Sequence, residues 1–140
     1  MGTINWGRVI GGGLAAGLLM NISQFVLNAM VYAKDSEEAM RRLNLQPPPP
    51  ATIAIFIGMT FVVGVMLVWL YAAIRPRYGP GPKTAVCAGF VVWFLARFLS
   101  SVVYVASGIF PARLVFGATA WGLVEVLLAG LLGGWLYKEA

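Results

Sequence analysis

The chain contains no histidine and a single cysteine, Cys87. The first absence excludes haem held by histidine and any histidine-based metal centre. The second excludes an intrachain disulfide and a cysteine-rich metal site, so no metal and no cofactor are expected. Cys87, near the start of an apolar stretch, reads as a small buried apolar residue. Charge is scarce as well: 11% of residues are charged, where a soluble domain averages about 25%. With no histidine base and no serine–base pair, a hydrolytic constellation is missing, and the chain is not expected to be an enzyme.

Apolar side chains are abundant, at 60% of the 140 residues. That leaves too few polar groups to cover a surface facing water, so much of the surface must face lipid. Four long apolar stretches stand out, at about 9–32, 52–74, 85–107 and 114–137. Each meets the roughly 20 residues that a helix needs to cross the hydrocarbon at about 1.5 Å per residue. The expectation is an all-α membrane protein, a single transmembrane domain over residues 1–140, with four antiparallel helices in an up-down bundle. Strands are not expected, because an open sheet leaves its backbone unsatisfied in lipid.

The connectors carry their own signals. Asp35 followed by Glu38 resembles a capping box, and Ala39, Met40 and Leu43 form an apolar face opposite Glu37, Arg41 and Arg42. A short amphipathic helix on the membrane surface is expected there, between the first and second spans. Pro47–Pro50 should follow as a stiff spacer. Pro76 should stop the second helix, and Pro111 suits the first turn of the fourth. Lys138 and Glu139 close the sequence in water.

The net charge of +5 comes from bases gathered at helix ends. Arg75, Arg77 and Lys83 in the second connector fit anionic lipid headgroups, and no stretch interleaves bases and aromatics as a nucleic-acid groove would. The expected partners are therefore membrane lipids and other membrane subunits or a second copy, and not nucleic acid. Arg8, Arg75, Arg77, Lys83 and Lys138 fall on one side, and Lys34, Arg41, Arg42 and Arg113 on the other. That slight excess places both termini in the cytoplasm.

Two small-xxx-small pairs, Gly13/Gly17 and Gly130/Gly134, mark faces where helices approach closely. Gly17, Asn21, Gln24 and Asn28 share one face of the first helix. The most informative residues are Asn21, Arg97 and Glu125, each near the middle of a span. A charge at that depth costs roughly 2.5 kcal/mol or more, so Arg97 and Glu125 are expected to pair. Asn21, Ser100 and Ser101 would take up the remaining donors and acceptors. Such a cluster is either an ion pair that fixes helix register or a pathway for an ion or solute.

Ile4-Asn-Trp-Gly-Arg8, Trp69 through Ala85, and Trp121-Gly-Leu-Val-Glu125 resemble a group of short bacterial four-helix membrane proteins of uncharacterised function. The resemblance implies a bacterial inner-membrane protein and carries no activity with it. Small multidrug exporters share the size and the membrane carboxylate, but theirs lies on the first helix, whereas Glu125 is on the last. Small fluoride channels share the size and the helix count, but Asn21 and Thr60-Phe61 do not follow their pore pattern. The leading expectation is a non-enzymatic accessory or assembly subunit of a larger membrane complex. The alternative is a small homo-oligomeric transporter or channel using Asn21, Arg97 and Glu125.

Overall fold

A computed structural model describes residues 2–138; Glu139 lies outside the described residues. The protein is all-α, with four helices long and apolar enough to span a membrane: Trp6–Val31, Pro50–Tyr78, Pro82–Ala106 and Ala112–Leu136. A surface helix, Ala33–Arg42, follows the first span.

The spans form because their apolar residues run unbroken for the thickness of a bilayer, and helices satisfy the backbone internally there. Their ends depart from the sequence reading. The second span does not stop at Pro76, which sits inside the helix. Its true stop is Gly79, whose N–H bonds Arg75 O at 2.8 Å and whose φ of +83° suits a residue without Cβ. With only two helical residues beyond it, Pro76 disturbs a final turn rather than a helix interior. Asp35 does not cap the surface helix, which starts two residues earlier at Ala33 without a side-chain cap. Asp35 instead stands 4.0 Å from Arg113 at the foot of the fourth span, while Glu38 pairs with Arg42. Pro50 opens the second span as its first residue.

Glycine sets how the spans meet. Gly13 and Gly17 lie against Val65 and Phe61, so the first and second spans run antiparallel. Gly64 enters the same seam: a Cβ there would come within 2.7 Å of Gly17 N. Gly130 packs on Ala85 O and Gly134 on the Ala85 side chain, which joins the fourth span to the third. Gly12 meets Gly133 and completes the seam between first and fourth. Close backbone approach of this kind is how helices gain packing energy in lipid, where apolar side chains alone have nothing to gain.

The third span turns Ala85, Ala88 and Gly89 inward. Cys87 consequently points outward and is exposed, contrary to the sequence expectation. The second span packs along Pro82–Trp93 of the third but makes no comparable contact with Leu99–Ala106. The bundle is therefore closed at the end that holds the termini and parted at the other. The start of the first span and the end of the fourth meet at the closed end, where Asn5 N–H donates to the Tyr137 hydroxyl at 3.2 Å. There Arg75 lies over the Tyr137 ring, 5.7 Å from its centroid, and Tyr71 meets the same ring edge-on. Arg75 is thus half-buried against an aromatic ring, and Arg77 and Lys83 are exposed.

Candidate functional site

Glu125 is placed by the inner face of the fourth span, in a row with Thr119, Gly122 and Val126, all of them buried. It is 3% exposed. One carboxylate oxygen accepts hydrogen bonds from Ser23 Oγ and Gln24 Nε2, both at 2.8 Å. The other faces Arg97 Nη2 at 3.4 Å. Ser23 is itself held by the Trp121 indole N–H at 2.8 Å. The carboxylate is thus gripped from the first span and touched from the third.

Arg97 stands differently. Its side chain is 32% exposed, against 1% for Glu125, and the contact to Glu125 is its only described side-chain hydrogen bond. It belongs to a π-helical turn, Phe94–Phe98, inside the third span. Such single turns recur at functional positions in helices. The guanidinium lies beside Gly122, where an added Cβ would sit in ordinary contact, 3.5 Å from a terminal nitrogen. A guanidinium offers five donors, and one carboxylate oxygen cannot use them.

Arg97 also lines two adjoining cavities where the spans part. The larger, of about 560 Å³, runs along Asn21, Gln24 and Asn28 of the first span, past Thr60 of the second, to Pro48 in the loop. The smaller, of about 240 Å³, lies between the second and third spans and is bordered mainly by Met20, Met59, Val63, Val92 and Val126, with Glu125 on its wall. Phe56, Thr60 and Arg97 border both. The larger cavity is of a size that suits a small ligand.

The structure therefore brings Arg97, Glu125 and Gln24 together and leaves the other expected members apart. Asn21 does not touch the pair. Its amide donates to Gly17 O at 3.0 Å and reaches Ile57 O at 3.5 Å, because it faces the second span rather than the fourth. Asn28 donates to Gln24 O within its own helix. Ser100 is exposed and returns its hydroxyl to Ala96 O. Ser101 is buried one turn beyond Arg97, bonding Arg97 O at 2.8 Å and meeting the Thr119 hydroxyl. Thr119 O in turn accepts the Trp93 indole N–H at 2.9 Å. Gly13, Gly17, Gly130 and Gly134 are taken up inside the bundle, none of them on a free face.

Two residues of the site were not anticipated, Ser23 and Trp121. Ser23 interrupts the buried row Ala16, Met20 and Leu27, and that break in an apolar face was its signal. Among the described residues, no three histidine, cysteine or carboxylate side chains converge as a metal centre would require. No protein-family model, no characterised protein and no solved structure matches this chain.

Proposed function

We propose that this small integral membrane protein is a non-enzymatic carrier that accepts an acidic or anionic group at Arg97, at mid-depth in a bacterial inner membrane, with both termini in the cytoplasm. The observation that carries this reading is the inequality within the pair. Glu125 is buried and fully engaged, whereas Arg97 is open to a cavity with donors unspent. A pair serving only to fix helix register would bury both members and satisfy both. An arginine at mid-span that faces a cavity is the usual mark of a pathway, and its planar fork suits a carboxylate or phosphate oxygen pair. The row Asn21, Gln24, Asn28 leads from Arg97 toward the loop at Pro48 and supplies a polar wall for water.

An accessory subunit, the other reading, would present the Gly13/Gly17 and Gly130/Gly134 faces to a foreign helix. Those faces are filled by this chain's own spans, and the exposed Ile53, Ile55 and Phe56 on the second span suit lipid equally well. The carrier reading is tested by thiol accessibility in native membranes. Cys87→Ser removes the one cysteine, and Asn28→Cys, Thr60→Cys and Met66→Cys are then challenged with a membrane-impermeant thiol reagent. Asn28→Cys and Thr60→Cys should react, and Met66→Cys, on the lipid face, should not. A Thr60→Cys variant as inert as Met66→Cys would remove the wet path and the carrier with it.

A further inference from the structure

We infer that the group taken at Arg97 is the carboxyl of a long-chain monocarboxylic acid drawn from the bilayer, with its head at the guanidinium and its tail in the apolar slot beside it. The inference rests on the carrier reading above and narrows its substrate. Two features of the site carry it: an apolar slot that opens sideways beside Arg97, and the charge balance at the guanidinium.

Both cavities are mainly apolar, and Arg97 stands where they join. Toward the loop Asn21, Gln24, Asn28 and Thr60 share the wall with Phe25, Ile53, Phe56 and Ile57. Away from it the wall is Met59, Val63, Val92 and Val126. Phe56 and Met59 are more than half exposed, so the slot opens sideways between the second and third spans. A chain already in the bilayer can enter there without crossing a polar layer. Lipid is as apolar as the slot, so the tail selects by shape and route, and binding strength comes from the head.

The head must satisfy a charge condition. Glu125 already neutralises Arg97. A permanent anion added to that pair leaves one uncompensated charge at mid-depth, which costs free energy even in a cavity that admits water. A carboxylic acid avoids this by bringing its own proton. The acid's O–H bond breaks and its proton bonds to the Glu125 oxygen that had faced Arg97. Arg97 then exchanges the Glu125 carboxylate for the ligand's, and the summed charge is unchanged. Ser23 and Gln24 remain on the second oxygen of Glu125 and hold it in place throughout. Among the described residues Arg97 is the one charged group facing Glu125. The first span presents Ser23 and Gln24, the fourth presents Trp121 through Ser23, and the second span has no charged side chain between Pro50 and Ile74.

The test uses the full chain in phosphatidylcholine nanodiscs with radiolabelled laurate as probe. Dodecyl sulfonate is compared at equal mole fraction in the bilayer, and acetate from the aqueous phase. Laurate should bind saturably, and the sulfonate, which brings no proton, at least about tenfold more weakly, the equivalent of about 1.4 kcal/mol. Glu125→Gln, which leaves Arg97 without its counter-charge, should raise the sulfonate to laurate's level. Ala96→Phe, which narrows the slot and leaves the ion pair in place, should cost laurate but spare acetate. Equal binding of sulfonate and laurate overturns the proton hand-over, and an indifferent Ala96→Phe overturns the tail slot. Saturable acetate binding that Arg97→Gln abolishes, with no binding of laurate, leaves the anion site standing and removes the amphiphile. Binding of neither acid removes both.

Discussion

The two ends of this bundle are built from the same four spans and differ in how closely those spans come together. At the end holding the termini, Gly12, Gly13, Gly17, Gly64, Gly133 and Gly134 bring backbones into contact, and Tyr71, Tyr137 and Arg75 seal the layer. At the end holding the surface helix, no glycine seam joins the second span to Leu99–Ala106, and the helices part around Arg97. Both π-helical turns, Leu27–Val31 and Phe94–Phe98, fall in this open half. Small residues thus set where a membrane bundle closes, and polar residues have room only beyond the last of them. The rigid half supplies the register that aligns Ser23, Arg97 and Glu125, and the open half gives Arg97 access to a ligand.

The sharpest way to break this contrast is to open the closed half. A side chain at Gly64 would strike Gly17, whose N and Cα lie 2.7 and 3.0 Å from the position of an added Cβ. The obstacle is backbone and cannot rotate away. Gly64→Val should therefore cost at least about 3 kcal/mol and leave little folded protein, measured by unfolding in mixed micelles. A variant that retained normal stability would mean that the first and second spans are not held at this seam.

A smaller effect is expected at the ion pair, and here the structure revises the sequence expectation. Read as two buried charges, the pair would lose about 3–5 kcal/mol when one partner is removed. The separation of 3.4 Å and the one-third exposure of Arg97 argue for less, because water in the cavity can solvate a stranded guanidinium. A double-mutant cycle with Arg97→Gln and Glu125→Gln should return a coupling of about 1 kcal/mol. A coupling of about 3 kcal/mol or more would mark a dry structural bridge and argue against the open half as a binding site.

Much of this architecture was legible in the sequence. Four apolar stretches of bilayer length give four spans because lipid leaves the backbone no alternative. The contact between Arg97 and Glu125 followed from equal depth and a short connector. Direction around the helix axis was less legible. Asn21 and Ser23 are two residues apart and look interchangeable as polar groups, yet one turns to the second span and the other to the fourth. That choice is made by Gly13 and Gly17, which fix the first span's rotation against Val65 and Phe61. Cys87 was misjudged for the same reason: burial in a membrane helix depends on rotation, and the small neighbours Ala85, Ala88 and Gly89 claimed the inner face. The inequality between Arg97 and Glu125 could not be read at all, since it arises from how far the second span stands from the third beyond Trp93.

The least effect is expected from the same residue type in the open half. Nothing lies within 4 Å of the position a Cβ would occupy at Gly58. In water, replacing a mid-helix glycine by alanine gains about 1 kcal/mol, because the unfolded chain loses backbone freedom. In a bilayer the reference state differs. A span separated from its neighbours remains helical, since lipid offers no other partner for its backbone, so that gain is not realised. No contact is made and none is lost. Gly58→Ala should therefore leave stability within about 0.5 kcal/mol of the parent, by the same mixed-micelle unfolding that reads Gly64→Val. A marked loss at Gly58 would show that another helix covers the open half in the membrane, and would return the second span's exposed face to the role of an interface.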